Sequence, residues 1–200
     1  MVSLDVGCSR LLAIGAHADD VEYGIGGWLQ RFSSARVVVV TDGRPARVRE
    51  TEAAARILNY QPAILDYAEN DVNLSRLVVA LDAILAGERP DLIAVHWPND
   101  THQDHRAAAA ATLAAARNFD GAIVFYRSPS SADFAPNFLV ALTDDEWRDK
   151  LAAIRAHASQ MSKPFLSDKA LRAVALSWPV LWHQDAKLCE PFALHRLIVG

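Results

Sequence analysis

Four consecutive valines, Val37 to Val40, constrain this 200-residue chain more than any other feature. Four β-branched side chains in a row favour a strand, and a strand with no polar face must be covered on both sides. "ARVVVVT" (35–41) is therefore read as an interior strand of a parallel sheet. Its neighbours repeat the theme. "RLLAIGA" (10–16), "PAILDY" (62–67), "DLIAVHW" (91–97) and "GAIVFY" (121–126) are short apolar runs of strand length. Between them lie helical patterns: "GGWLQRFSS" after the first strand, 46–59 with Val48, Ala55 and Leu58 on one face, 73–87, and the alanine-rich 105–118. Strand–helix alternation implies an α/β fold, Rossmann-like, with a mostly parallel sheet and helices on both faces. The alanines at 107–116 suit a helix that packs close to that sheet. In the last third, Thr143 is a candidate cap for a helix opening "DDEWRDKLAAIRAH". "NFLVAL" reads as a short strand, 166–178 as a helix and "FALHRLIV" (192–199) as a terminal strand. No repeat or linker divides the chain, so residues 1–200 are expected to form a single domain.

Composition narrows the function. A net charge of −4 with no basic block argues against nucleic acid. Cys8 and Cys189 are too few for a disulfide framework. No apolar stretch reaches the roughly 18 residues of a membrane span. The first residues carry no basic leader before a long apolar core, so a cytoplasmic location is expected.

Two clusters carry the chemistry. "AHADDVEYGIGG" (16–27) follows the first strand, and "HWPNDTHQDH" (96–105) follows the strand at 91–97. In open α/β sheets, sites form where strands end at their carboxyl edge, so two clusters far apart in sequence are expected to meet there. Adjacent Asp19 and Asp20 repel one another unless a cation intervenes. Histidine and carboxylate together suit a divalent metal, typically three protein ligands with one open position. His17 and Asp20 are three apart, as are His102 and His105. Spacing alone leaves His102 and His105 both open as a third ligand. An uncommitted carboxylate beside such a site can act as general base. "GIGG" lacks the GxGxxG spacing of a dinucleotide loop.

"AHADDVEYGIGGWL" resembles the AHPDD…GxGG signature of the PIG-L/LmbE-like deacetylases, zinc-dependent enzymes that remove N-acyl groups from glucosamine derivatives. "HQDH" (102–105) resembles that family's HxDH motif. "TDGRPARVRETEAAARIL" (41–58) is similar to its Arg/Glu segment and "KLAAIRAHASQ" (150–160) to its late HxSQ helix. The resemblance implies His17, Asp20 and His105 as metal ligands and Asp19 as the general base that activates the attacking water. It implies His102 as oxyanion stabiliser or proton donor, with Asp104 fixing its tautomer. Arg49 would hold sugar hydroxyls, positioned by Glu52. His157 and Gln160 are expected to be structural or interfacial, and Arg127 is a candidate substrate contact. Zn2+ is the implied cofactor, with Fe2+ compatible with the same ligands. The implied reaction removes acetate from a small amino-sugar substrate, in a protein that can form a homo-oligomer. Two rival readings stand beside it: an amidase on a thiol conjugate or non-sugar acylamine, and a silent sugar- or nucleotide-binding module. Ala18 stands where the family has proline, which removes a φ constraint from the loop.

Overall fold

A computed structural model describes residues 9–41, 43–183 and 187–197. Cys8 and positions 198–199 of the expected last strand lie outside the described residues. Among the described residues, seven strands form one sheet: β1 (Arg10–Gly15), β2 (Ser34–Thr41), β3 (Gln61–Tyr67), β4 (Leu92–His96), β5 (Ala122–Tyr126), β6 (Phe138–Ala141) and β7 (Cys189–Arg196). The order is β3-β2-β1-β4-β5-β7-β6; the first five strands are parallel, and β7 runs antiparallel to both of its neighbours, β5 and β6. The fold is a single-domain α/β arrangement of the Rossmann-like kind.

The valine run explains the layering. Val37 and Val39 enter one core with Leu11, Ala13, Leu92 and Val124, covered by helix α2 (Pro45–Leu58) through Ala54 and Leu58. Val38 and Val40 enter the opposite core with Leu12, Ile14, Ile93 and Val95. There α3 (Leu74–Glu88) and α4 (Gln103–Ala115) cover the sheet through Leu77, Leu81, Ala108 and Ala111. Small alanines let α4 lie close, as its composition suggests. Helix α5 (Asp144–Ala156) opens with a capping box in which the Thr143 and Glu146 side chains satisfy each other's backbone N–H groups. Helix α6 (Asp168–Leu181) precedes the returning strand β7.

One element differs from the expectation. The segment 20–31 forms a short helix α1 (Asp20–Ile25), and "GGWLQRFSS" supplies only a 3-10 turn at Trp28–Arg31. Gly24 lies against Tyr126, where an added Cβ would stand 2.3 Å from a ring carbon. That approach fixes α1 over the sheet, and the Tyr126 hydroxyl donates to the Ile14 carbonyl at 2.7 Å. No described helix is long and apolar enough to cross a membrane.

Candidate metal centre

Strand order reverses between β1 and β4, and the crevice at their carboxyl ends is where such sheets bind ligands. Both histidine–aspartate loops leave the sheet at this point. The β1 loop is pinned by Thr41, whose backbone N and hydroxyl both donate to the Ala16 carbonyl, at 2.9 and 2.8 Å. On the other loop, His102 caps α4, so Asp104 and His105 project from the first turn of that helix.

His17 Nδ1, Asp20 Oδ2 and His105 Nε2 converge. Their separations are 3.3 Å (His17–Asp20), 3.3 Å (His17–His105) and 3.5 Å (Asp20–His105). Tetrahedral coordination at zinc-type bond lengths sets donor atoms about 3.3–3.4 Å apart, so this triangle has the size of one metal-binding face. The nitrogens turned away from the triangle are also occupied. His17 Nε2 lies 3.1 Å from Asp104 Oδ2, and His105 Nδ1 lies 3.2 Å from Asp100 Oδ2. Carboxylates behind both imidazoles orient the inward lone pairs, as around bound metals generally. The site thus fits a divalent cation by donor chemistry, spacing and ring orientation.

Electrostatics point the same way. Burial lowers the His17 pKa, but hydrogen bonds and charge from Asp20 and Asp104 outweigh it and raise it to about 9. The carboxylates on either side of His17 thus favour positive charge at that ring. His96, fully buried, behaves oppositely: burial and the neighbouring His105 pull its pKa down to about 4. It accepts from Ala16 N at 3.0 Å and stacks flat on His105, 4.0 Å between ring centroids. A second grouping, Asp20 with His96 and His105, is also compact enough to hold an ion, as is His17 with His102 and His105.

Asp19 stands beside the triangle rather than in it. Its φ of 103° lies in the left-handed half of backbone space, a strained position for a residue with a side chain. Burial, then repulsion from Asp20, raises its pKa to about 7, against the pull of Lys163, Arg47 and His157. A carboxylate poised there exchanges a proton readily near neutrality. These groups line a cavity of about 320 Å³ that also includes Tyr23, Arg44, Glu69, Lys163 and Phe165. Its volume lies within the range typical of small-molecule sites.

Three expectations need correction. Arg49 and Glu52 are exposed, and neither lines the cavity. Arg47 does, two positions earlier. It donates to the Ala18 carbonyl, lies 3.6 Å from Asp19 Oδ1 and pairs with Glu50 at 2.7 Å. Arg47, Thr51, Ala54 and Leu58 share the buried face of α2 at spacings of four, three and four, the signal that marks the inward arginine. Its hydrogen bond to the Ala18 carbonyl ties α2 to the β1 loop. The Asp104 carboxylate, second, serves His17 and the backbone N of Asn70 (2.9 Å), not His102. The backbone N of Asp104 donates to His102 Nδ1 at 3.2 Å, which places the proton of neutral His102 on Nε2. Third, Arg127 donates to the Tyr23 hydroxyl at 3.2 Å and lines a small neighbouring pocket, not the cavity.

His157 is buried 3.3 Å from Glu22 Oε1, and Gln160 reaches the cavity wall. Asp100, two residues before His102, carries no spacing signal in the sequence. Because Arg47 is buried and Arg49 is not, the two variants separate cleanly. Arg47→Ala is expected to lose about 2 kcal/mol of stability in urea unfolding, through its charged hydrogen bonds. Arg49→Ala should stay within about 0.5 kcal/mol of the parent.

Fold and site together describe an α/β protein with a candidate His/Asp metal site at the β1/β4 crevice. Residues 12–116 match the family model described as PIG-L, GlcNAc-PI de-N-acetylase. The chain belongs to the PIG-L family. It is 30% identical over 168 residues to the uncharacterized deacetylase YaiS of Escherichia coli K12, covering 74% of this chain and 90% of that one. It is 26% identical over 205 residues to the diacetylchitobiose deacetylase of Thermococcus kodakarensis, covering 84% and 76%. GalB, the 4-carboxy-2-hydroxymuconate hydratase of Pseudomonas putida KT2440, superposes with a TM-score of 0.80 at 18% identity, covering 96% and 98%. That last likeness is one of fold alone, so the scaffold by itself does not specify the reaction.

Proposed function

We propose that the protein is a metal-dependent N-deacetylase that releases acetate from an N-acetylglucosamine-type amino sugar or small glycoconjugate. The observation that carries this reading is the donor triangle of His17, Asp20 and His105 with Asp19 beside it, on a cavity wall in a chain of the PIG-L family. Zinc suits the two imidazoles and one carboxylate, and ferrous iron is compatible with them. A divalent metal held there supplies a Lewis acid that polarises the amide carbonyl and makes a water easier to deprotonate.

The protein's own groups divide the remaining work. Asp19, its pKa near 7, takes a proton from the attacking water as the carbon–oxygen bond forms. His102 presents Nε2–H to the oxyanion that develops on the carbonyl, a contact strongest in the transition state. Collapse breaks the carbon–nitrogen bond, and the proton held by Asp19 passes to the departing nitrogen. Acetate and a free amine leave. Arg47 keeps the Ala18–Asp19 turn in place throughout.

The test is acetate release from N-acetylglucosamine and diacetylchitobiose by zinc-loaded protein, before and after chelation. Release that stops with chelator and returns with zinc is the expected result. Metal-dependent hydrolysis of non-sugar acylamines but of neither sugar would favour the broader amidase. Stoichiometric metal with no hydrolysis of any acylamine would leave a binding module.

A further inference from the structure

The structure assigns to Asp100, held by the serines of the 128–131 loop, the role of a positioning residue that fixes His105 and thereby sets metal affinity. This rests on the metal reading above. Asp100 is 3% exposed and has five donors around one carboxylate. Oδ1 accepts from the His102 backbone N at 2.8 Å and from Ser130 Oγ at 2.6 Å. Oδ2 accepts from Ser128 Oγ at 2.5 Å and Ser131 Oγ at 3.1 Å, and lies 3.2 Å from His105 Nδ1. Stitching of the two loops continues on the backbone. Thr101 N donates to the Ser130 carbonyl at 3.0 Å and Ala132 N to that of Asn99 at 2.8 Å.

The arrangement has a chemical consequence beyond holding loops together. A carboxylate oxygen at His105 Nδ1 keeps the proton on that nitrogen, so the Nε2 lone pair faces His17 Nδ1 and Asp20 Oδ2. Three hydroxyls and one backbone N–H occupy the other acceptor directions of Asp100 and hold Oδ2 against the ring. Ser130 also lines the cavity, and its Oγ is 3.3 Å from His105 Nδ1. The "YRSPSS" segment thus connects the cavity wall to a metal ligand without itself contributing one.

Asp100→Asn is a sharp probe because the amide cannot settle either way round. The His102 backbone N–H is a fixed donor and requires an oxygen at the Oδ1 position. The NH2 group is then left facing His105 Nδ1, which must give up its proton to accept. The ring proton moves to Nε2 and occupies the lone pair the metal needs. Hydroxyls, by contrast, can rotate.

The experiment is zinc affinity by competition with a chromophoric chelator, alongside the thermal midpoint of the metal-free protein. Asp100→Asn is expected to weaken zinc binding about 10–100-fold. The double variant Ser128→Ala/Ser130→Ala, which keeps the carboxylate, is expected to weaken it several-fold in the same direction. A merely structural stitch would lower the metal-free midpoint and leave zinc affinity within twofold of the parent. That result in either variant overturns the proposal, and the serine variant decides it alone if Asp100→Asn does not fold. Failure of the metal reading looks different: the unaltered protein would bind no zinc, or His105→Ala would bind it as tightly. Either outcome removes both claims together.

Discussion

Asp19→Asn is expected to keep its full complement of metal and to lose about 10³-fold in kcat. Asparagine preserves the shape of the side chain and tolerates positive φ as well as aspartate does, so the turn at φ 103° survives. What disappears is the cavity-lining carboxylate beside the donor triangle, which burial and its neighbour Asp20 raise towards neutrality. An amide cannot take the proton from water. Elemental analysis and steady-state acetate release on the same preparation check the claim. A variant within threefold of the parent, with metal retained, would show that another group is the base.

The second large effect is at the ligands. Asp20→Ala is expected to reduce bound metal from about one per chain to less than about a tenth, with activity falling in step. Asp20 Oδ2 is also the acceptor for His17 N at 2.7 Å, so alanine loosens the loop as well as removing a donor. Asp20→Asn separates the two effects. It can keep the backbone contact while removing the charge that His17 and His105 face, so metal loss in this variant reports the ligand role. Circular dichroism of both variants shows whether the fold persists. Metal content unchanged in both would remove Asp20 from the centre.

Much of this was legible from residue order because the relevant physics is local. The valine run, the strand-length apolar segments and the helical periods specify layers through backbone propensity and burial, and the strand ends then locate the crevice. The two clusters meet there for a topological reason, which requires no side-chain detail. The misreadings come from contacts between distant segments. Arg47 and Arg49 differ by two positions and so face opposite sides of α2; only the burial of Thr51, Ala54 and Leu58 tells them apart. Asp104 follows His102 closely in sequence, yet its carboxylate turns to His17, 87 positions away. Asp100 finds its serines at separations of 28 to 31 residues. Helix α1 starts at Asp20 and packs Gly24 against Tyr126, a contact that propensity does not express.

Anomalous diffraction at the zinc edge, on crystals of the zinc-loaded protein, tests the central claim most directly. The account predicts one strong peak equidistant from His17 Nδ1, Asp20 Oδ2 and His105 Nε2, on the cavity side of their triangle and within about 2.0–2.2 Å of each. A peak elsewhere on the chain, or none with zinc in excess, would contradict it.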